Sequence, residues 1–322
     1  MPDKRAGFYA FQVSPFKGVS GVLNEECRIG TASGGGPFFQ IQQGEVKGSS
    51  EDTFPRVTGD RLGLVAASGL TAFRPVFNAL TSMAFYDPEP KMMRSIQWPQ
   101  NGQLLKSSGE NIASVFRELE RSDSESLRVI QEYLHSIVPM VQGVQHTQAG
   151  PAETLEFLQE EMTGQTRSWH FWAQNMSDGT LRALGILTAL FQGSNDHRAT
   201  LVGIEEPETG LHPSAFAALR EALQRASLHN QVLVTSHSPD LLDDPELSAD
   251  ALLSVDSEEG ETRIAAVDSA SQKMLEQRLF TAGELLRLDQ VGLDETSLAA
   301  QGKRQPDLFE DRLVTVEPSG AK

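Results

Sequence analysis

The chain has 322 residues, of which 39% are hydrophobic and 22% charged, and its formal net charge is −17. That length holds one large domain or two modest ones with a real core. The negative total gives no general attraction to nucleic acid, although a local basic patch is compatible with it. A lone cysteine, Cys27, excludes an internal disulfide and a thiolate metal cluster and fits a reducing cytoplasm. The opening MPDKRAGFYAFQ lacks the apolar core of a secretory signal. No stretch approaches the roughly 20 apolar residues that span a bilayer, so no membrane is expected.

From residue 8 to 46 the pattern alternates and is broken by glycine. FYAFQV, GVLNEECRIG and PFFQIQQGEV read as antiparallel strands, with Ser33-Gly34-Gly35-Gly36 as a turn between them. No Lys-Ser or Lys-Thr follows that glycine run, so it does not read as a phosphate loop. Residues 70 to 165 read as mostly helical. FRPVFNALTSMAFY and NIASVFRELERSDSESLRVIQEYLHSIV carry apolar residues at three- and four-residue spacing. Val115, Leu119, Leu127, Ile130 and Leu134 form one stripe, interrupted by a Ser-Asp-Ser turn.

SDGTLRALGILTALF predicts a helix with Leu181, Leu184, Leu187 and Phe191 on one face, closed by Gly193. LVGI reads as a strand buried on both faces. PSAFAALREALQRASL is an amphipathic helix with Pro213 in its first turn. VLVTSH reads as a second buried strand. Strand, helix and strand make a βαβ unit with parallel strands, and ligands of such sheets bind at the carboxyl ends of the strands. ALLSVDSEEGETRIAAVD then reads as a strand pair, followed by a helix through Leu288. Residues 296–322 are polar, with Gly, Pro and Lys, and read as a disordered tail.

Three stretches carry chemistry. Ser177-Asp178-Gly179 opens a helix, where free N–H groups and the helix dipole suit a phosphate. By itself it reads as a plain N-cap. Glu205 and Glu206 end a strand. One carboxylate can hold magnesium through its waters and the next can take a proton from water, whereas alone they read as exposed acids in a turn. His237 ends the next strand and can donate to a phosphate oxygen or to water. Taken together, 28 residues separate Ser177 from Glu205 and 31 separate Glu206 from His237. Three such stretches in one order and spacing are not expected by chance. His135, His146, His170, His197, His212 and His229 lack metal-ligand spacing and read as structural or surface residues. Trp98, Trp169 and Trp172 read as core or packing residues.

These stretches resemble the ABC-type ATPases, in the RecF/SMC-like branch of prokaryotic AAA ATPases. SDGTLR is similar to that branch's signature motif, LVGIEEPE to its Walker B, TGLHP to its D-loop and VLVTSHSPDLLD to its switch-histidine loop. GENIASVF and TAGELLRL are weaker echoes, and the resemblance covers about residues 60 to 290. It implies an α/β, P-loop NTPase-like core with a partly parallel sheet, an antiparallel β segment at the N-terminus and a helical insertion. The implied divisions are a remnant of an N-terminal β lobe (1–66), a helical insertion or arm (67–166), the ATPase lobe (167–290) and the tail (291–322). The implied cofactors are ATP and Mg2+. By that resemblance, Glu205 assists the metal, Glu206 is the catalytic base and His237 senses the γ-phosphate. Ser177, Asp178 and Gly179 meet the nucleotide of a second subunit, in a homodimer or with a P-loop-bearing partner chain.

Two departures stand out. The first Walker B acid is Glu205, where most ABC proteins carry aspartate. No G-x-x-x-x-G-K-[ST] occurs in the 322 residues, and Lys106-Ser107 follows leucines, not glycine. A misplaced start, a P-loop half on another chain and a degenerate partner each account for this. Two functions follow: an ATP-hydrolysing machine, or a scaffold or regulatory subunit that lends its signature face to a complete partner.

Overall fold

The computed structural model describes residues 7–16, 19–30, 36–160, 168–193, 199–258 and 260–300. The chain divides into two compact units. One comprises Met1–Thr81, Val255–Ala266 and Leu293–Lys322, the other Ser82–Ser254 and Val267–Gly292. The glycine turn at 33–36 lies almost wholly outside the described residues, as do His197 and residues 301–322 of the predicted tail.

The first unit opens with an antiparallel sheet in the order β1-β2-β3-β4, from β1 (Gly7–Phe16), β2 (Val19–Ile29), β3 (Phe38–Gln42) and β4 (Glu45–Ser49). Its last two strands divide PFFQIQQGEV at a two-residue hairpin. Gln43 (φ 49°) and Gly44 (φ 77°) are both left-handed there, as a primed turn requires. Cys27, Phe39 and Ile41 pack from the sheet onto Leu64 and Ala67 of α1 (Gly63–Ala67), and onto Phe73 just before α2 (Arg74–Thr81). Phe39 meets the Phe73 ring edge-on, with centroids 5.1 Å apart. The charge of Glu25 in mid-strand is absorbed locally. Its buried carboxylate accepts from the backbone N–H groups of Gly63 and Leu64 and from the Tyr9 hydroxyl, so donors satisfy what burial would otherwise penalise.

In the second unit the period that predicts a helix through Tyr86 ends at Thr81, and Met83–Tyr86 forms β5 instead. Its partner lies over a hundred residues downstream, which a local period cannot register. Next come α3 (Pro90–Arg94), α4 (Ile112–Ser122) and α5 (Ser124–Ile137). Asp123 divides the last two and caps α5 by accepting from the Ser126 N–H. The predicted stripe faces inward: Val115, Leu119, Ile130 and Leu134 are buried, and Leu127 packs beside them. The segment expected to be helical then turns into β6 (Val141–Ala149) and β7 (Ala152–Glu160), which join β8 (Ser168–Trp172) in an antiparallel sheet.

Helix α6 (Asp178–Phe191) is buried on nearly all sides, not along one stripe: of residues 180–190 only Arg182 escapes full burial. Strand β9 (Leu201–Glu205), α7 (Phe216–Ser227) and β10 (Gln231–Thr235) form the predicted βαβ unit, and the parallel sheet runs β10-β9-β5. Strand β10, expected to be buried, alternates between exposed and half-buried, with Leu233 45% exposed, because it ends the strand order. The predicted strand pair is β11 (Leu253–Glu258) and β12 (Glu261–Ala266), and the helix predicted after it is broken into α8 (Ser269–Glu276) and α9 (Ala282–Arg287). Within the predicted tail, Asp294 accepts from the Thr296 N–H and begins a helical turn. Trp98, Trp169 and Trp172 are not core residues: they are 68%, 57% and 37% exposed. No described helix is long and apolar enough to cross a membrane. The architecture is mixed α/β, with a parallel sheet and antiparallel sheets.

Candidate functional site

Strand β9 lies between β5 and β10, and its carboxyl end presents Glu205 opposite Thr235 in register. Glu205 is exposed, and its carboxylate makes no hydrogen bond or ion pair among the described residues. The chain turns immediately afterwards. Glu206 adopts φ 41°, a left-handed conformation unusual for a residue with a side chain. Such a backbone costs of the order of 1–3 kcal/mol and persists only where surroundings hold it. Here its N–H donates to the Thr235 carbonyl at 3.0 Å, and its carboxylate stands 3.0 Å from His237 Nδ1 through Oε1. The Thr209 hydroxyl donates to Oε2 at 3.3 Å. Thus three of the predicted residues, Glu205, Glu206 and His237, gather at one end of the parallel sheet.

The Ser177–Gly179 segment reaches the same region by a different contact. Ser177 is the N-cap of α6, accepting from the Thr180 N–H at 3.1 Å. Asp178 pairs with Arg94, which also donates to the Met176 carbonyl at 2.8 Å. Gly179 faces the loop after Glu206: a Cβ there would lie 2.4 Å from the Gly210 carbonyl oxygen. Its lack of a side chain is required by that loop, independently of any ligand. Ser177 and Asp178 remain exposed despite these local bonds.

Several residues inside the same motifs do work that spacing did not reveal. Arg182, the one cation in α6, donates through Nη2 to the Glu205 carbonyl at 3.1 Å and the Glu206 carbonyl at 3.4 Å. Through Nη1 it reaches Asp87 and the Pro88 carbonyl. One guanidinium therefore ties the ends of β5 and β9 together. A lone cation in a largely apolar helix was the available signal. Behind His237, α9 buttresses residues 239–243. Its Gly283 N–H donates to the Leu242 carbonyl at 3.1 Å, and the Thr281 hydroxyl donates to Asp243 at 2.7 Å. That hydroxyl, helped by Arg287, holds the Asp243 carboxyl below the usual aspartate range. The weak echo TAGELLRL is thus the support of the histidine loop.

No group of three or more His, Cys, Asp or Glu able to hold a metal occurs among the described residues. A single free carboxylate with hard oxygen donors fits magnesium, which keeps most of its waters and binds substrate phosphates.

The family model described as "AAA domain, putative AbiEii toxin, Type IV TA system" matches residues 53–243. No curated protein matches the chain. Among solved structures, an SMC head bound to the C-winged helix domain of ScpA is 11% identical, covering 84% of this chain and 77% of its own, with a TM-score of 0.45. The SMC head domain from Thermotoga maritima is 10% identical over 81% of this chain and 74% of its own, with a TM-score of 0.35. For the Pyrococcus furiosus SMC head with an extended coiled coil, identity is 13%, coverage 52% of this chain and 42% of that one, and the TM-score 0.37. Since the family model spans more than half of the 322 residues, the chain belongs to that AAA-domain family.

Proposed function

We propose that the chain binds and hydrolyses ATP as one half of a nucleotide-sandwich dimer. The reading rests on one observation above all: the carboxylate of Glu206 and Nδ1 of His237 meet at 3.0 Å at the ends of neighbouring parallel strands. Glu206 accepts the proton of the water that attacks the γ-phosphorus, and His237 donates to a γ-phosphate oxygen. Glu205, free of other partners, takes the magnesium ion, which neutralises phosphate charge when bound. The Ser177–Gly179 segment, exposed at Ser177 and Asp178, meets the nucleotide of the second subunit. The 322 residues hold no G-x-x-x-x-G-K-[ST], so this reading needs a P-loop-bearing lobe as partner.

The test is to supply a P-loop-bearing lobe, by fusion or co-expression, and measure phosphate release. Glu206→Gln keeps ATP bound but lowers turnover by a factor of about 10²–10⁴, because the amide cannot accept the water's proton. Turnover unaffected by Glu206→Gln removes the base from Glu206. A wild-type assembly that binds the lobe yet never hydrolyses ATP leaves the scaffold reading in its place.

A further inference from the structure

The loop after Glu206 and the loop carrying His237 share a second side-chain link. Glu208 is only 7% exposed, and carboxylates are rarely buried so far unless paired. Its Oε1 accepts from the Ser236 hydroxyl at 2.6 Å, and its Oε2 is buried without a hydrogen-bond partner. Ser236 Oγ in turn accepts from the Ser238 N–H at 3.0 Å, and Ser238 Oγ accepts from the Leu241 N–H at 3.4 Å. His237 sits between the two serines, its own side chain 78% exposed. An imbedded ring would be fixed by packing, but an exposed one must be aimed by the backbone on either side. A buried carboxylate held by one neutral donor is a poor stabilising device, since an apolar side chain would be buried at less cost. Its use here is to anchor Ser236.

We infer that Glu208 is a positioning residue. Acting through Ser236, it holds the 236–241 backbone so that His237 stays within reach of Glu206. The inference rests on the proposed hydrolytic reading.

With the P-loop lobe supplied, Ser236→Ala and Glu208→Ala lower kcat by roughly tenfold to a hundredfold, the range that small misplacement of a catalytic group produces. KM for ATP stays within about twofold, because binding of the ground state is untouched. Ser236→Thr, which keeps the hydroxyl, and Glu208→Gln, which keeps an acceptor, retain most activity. The double variant Ser236→Ala/His237→Ala falls no lower than His237→Ala alone, since both changes remove the action of one group. Losses that multiply, or unchanged kcat in Ser236→Ala, overturn the inference. A second measurement uses the full chain without nucleotide. Ser236→Ala speeds amide exchange at Ser238 roughly tenfold or more while Val232–Val234 keep their rates. Unchanged exchange at Ser238 also overturns the inference. If exchange responds but the wild-type assembly hydrolyses nothing, the hydrolytic reading fails and the Glu208–Ser236 anchor stands.

Discussion

Adjacent carboxylates at the end of a strand repel, and at β9 the backbone separates them. Glu205 ends the regular strand and stays free, whereas the left-handed turn at Glu206 carries its carboxylate to His237. Arg182 makes that turn tolerable by drawing both carbonyls toward one guanidinium. Local chemistry also sets the reactivity of Cys27. Cys27 is fully buried beside Glu25 and Glu26, and burial first, then those carboxylates, pushes its thiol up to about 12. Only the thiolate reacts, and at pH 8 almost none is present. The native chain should therefore stay unlabelled by a thiol-reactive dye at pH 8, while urea-unfolded chain takes up one label. Rapid labelling of the native form would show that the β2–β3 face is open.

Among the elements, α9 is the least conspicuous in sequence and the most consequential for the histidine loop. Six residues make a marginal helix in water. It stands because Thr281 and Glu284 form a capping box and because its first turn docks on residues 239–243. Gly283 decides between two opposing effects. Helix propensity favours Gly283→Ala by up to about 1 kcal/mol. Against that, a Cβ would lie 2.1 Å from the Pro239 carbonyl oxygen and 2.9 Å from the Asp243 nitrogen. Backbone cannot yield as a flexible side chain can, so the clash wins. Gly283→Ala should destabilise by about 1–3 kcal/mol in urea unfolding and speed amide exchange through residues 239–243. A stabilised variant would mean that α9 does not dock there. Helix α6 and β5 show how much of this level was legible. The start of α6 was readable from Ser177, and its end from Gly193. Its burial on all sides was not, because a stripe of leucines does not disclose how many neighbours surround it. For β5, the local period pointed to the wrong element altogether.

At the scale of the whole molecule, the site described here is one face of a proposed sandwich, and the proposal has a genetic consequence. If base and signature segment of one site come from different subunits, mixing Ser177→Arg with Glu206→Gln chains places both defects in one site of the heterodimer and leaves the other intact. Each variant alone should be inactive with the P-loop lobe supplied, and the mixture should regain activity. Heterodimers that form but recover nothing would place base and signature on the same chain, or remove the dimer from catalysis. The net charge of −17 sharpens the requirement: two like-charged chains and an anionic nucleotide associate only where local contacts outweigh that repulsion.

By itself the sequence determined the βαβ unit, the placement of Glu205, Glu206 and His237 at strand ends, and the cap that starts α6. These depend on hydrophobic period, chain order and cap residues, all of which are local. Tertiary structure alone decided that β5 is a strand, that β10 is half exposed, that Gly179 must be glycine for the sake of Gly210, and that Arg182, Glu208, Ser236 and α9 support the site. Each of these depends on a partner many residues away, and a side chain's role there is set by what folding brings within hydrogen-bond or contact distance.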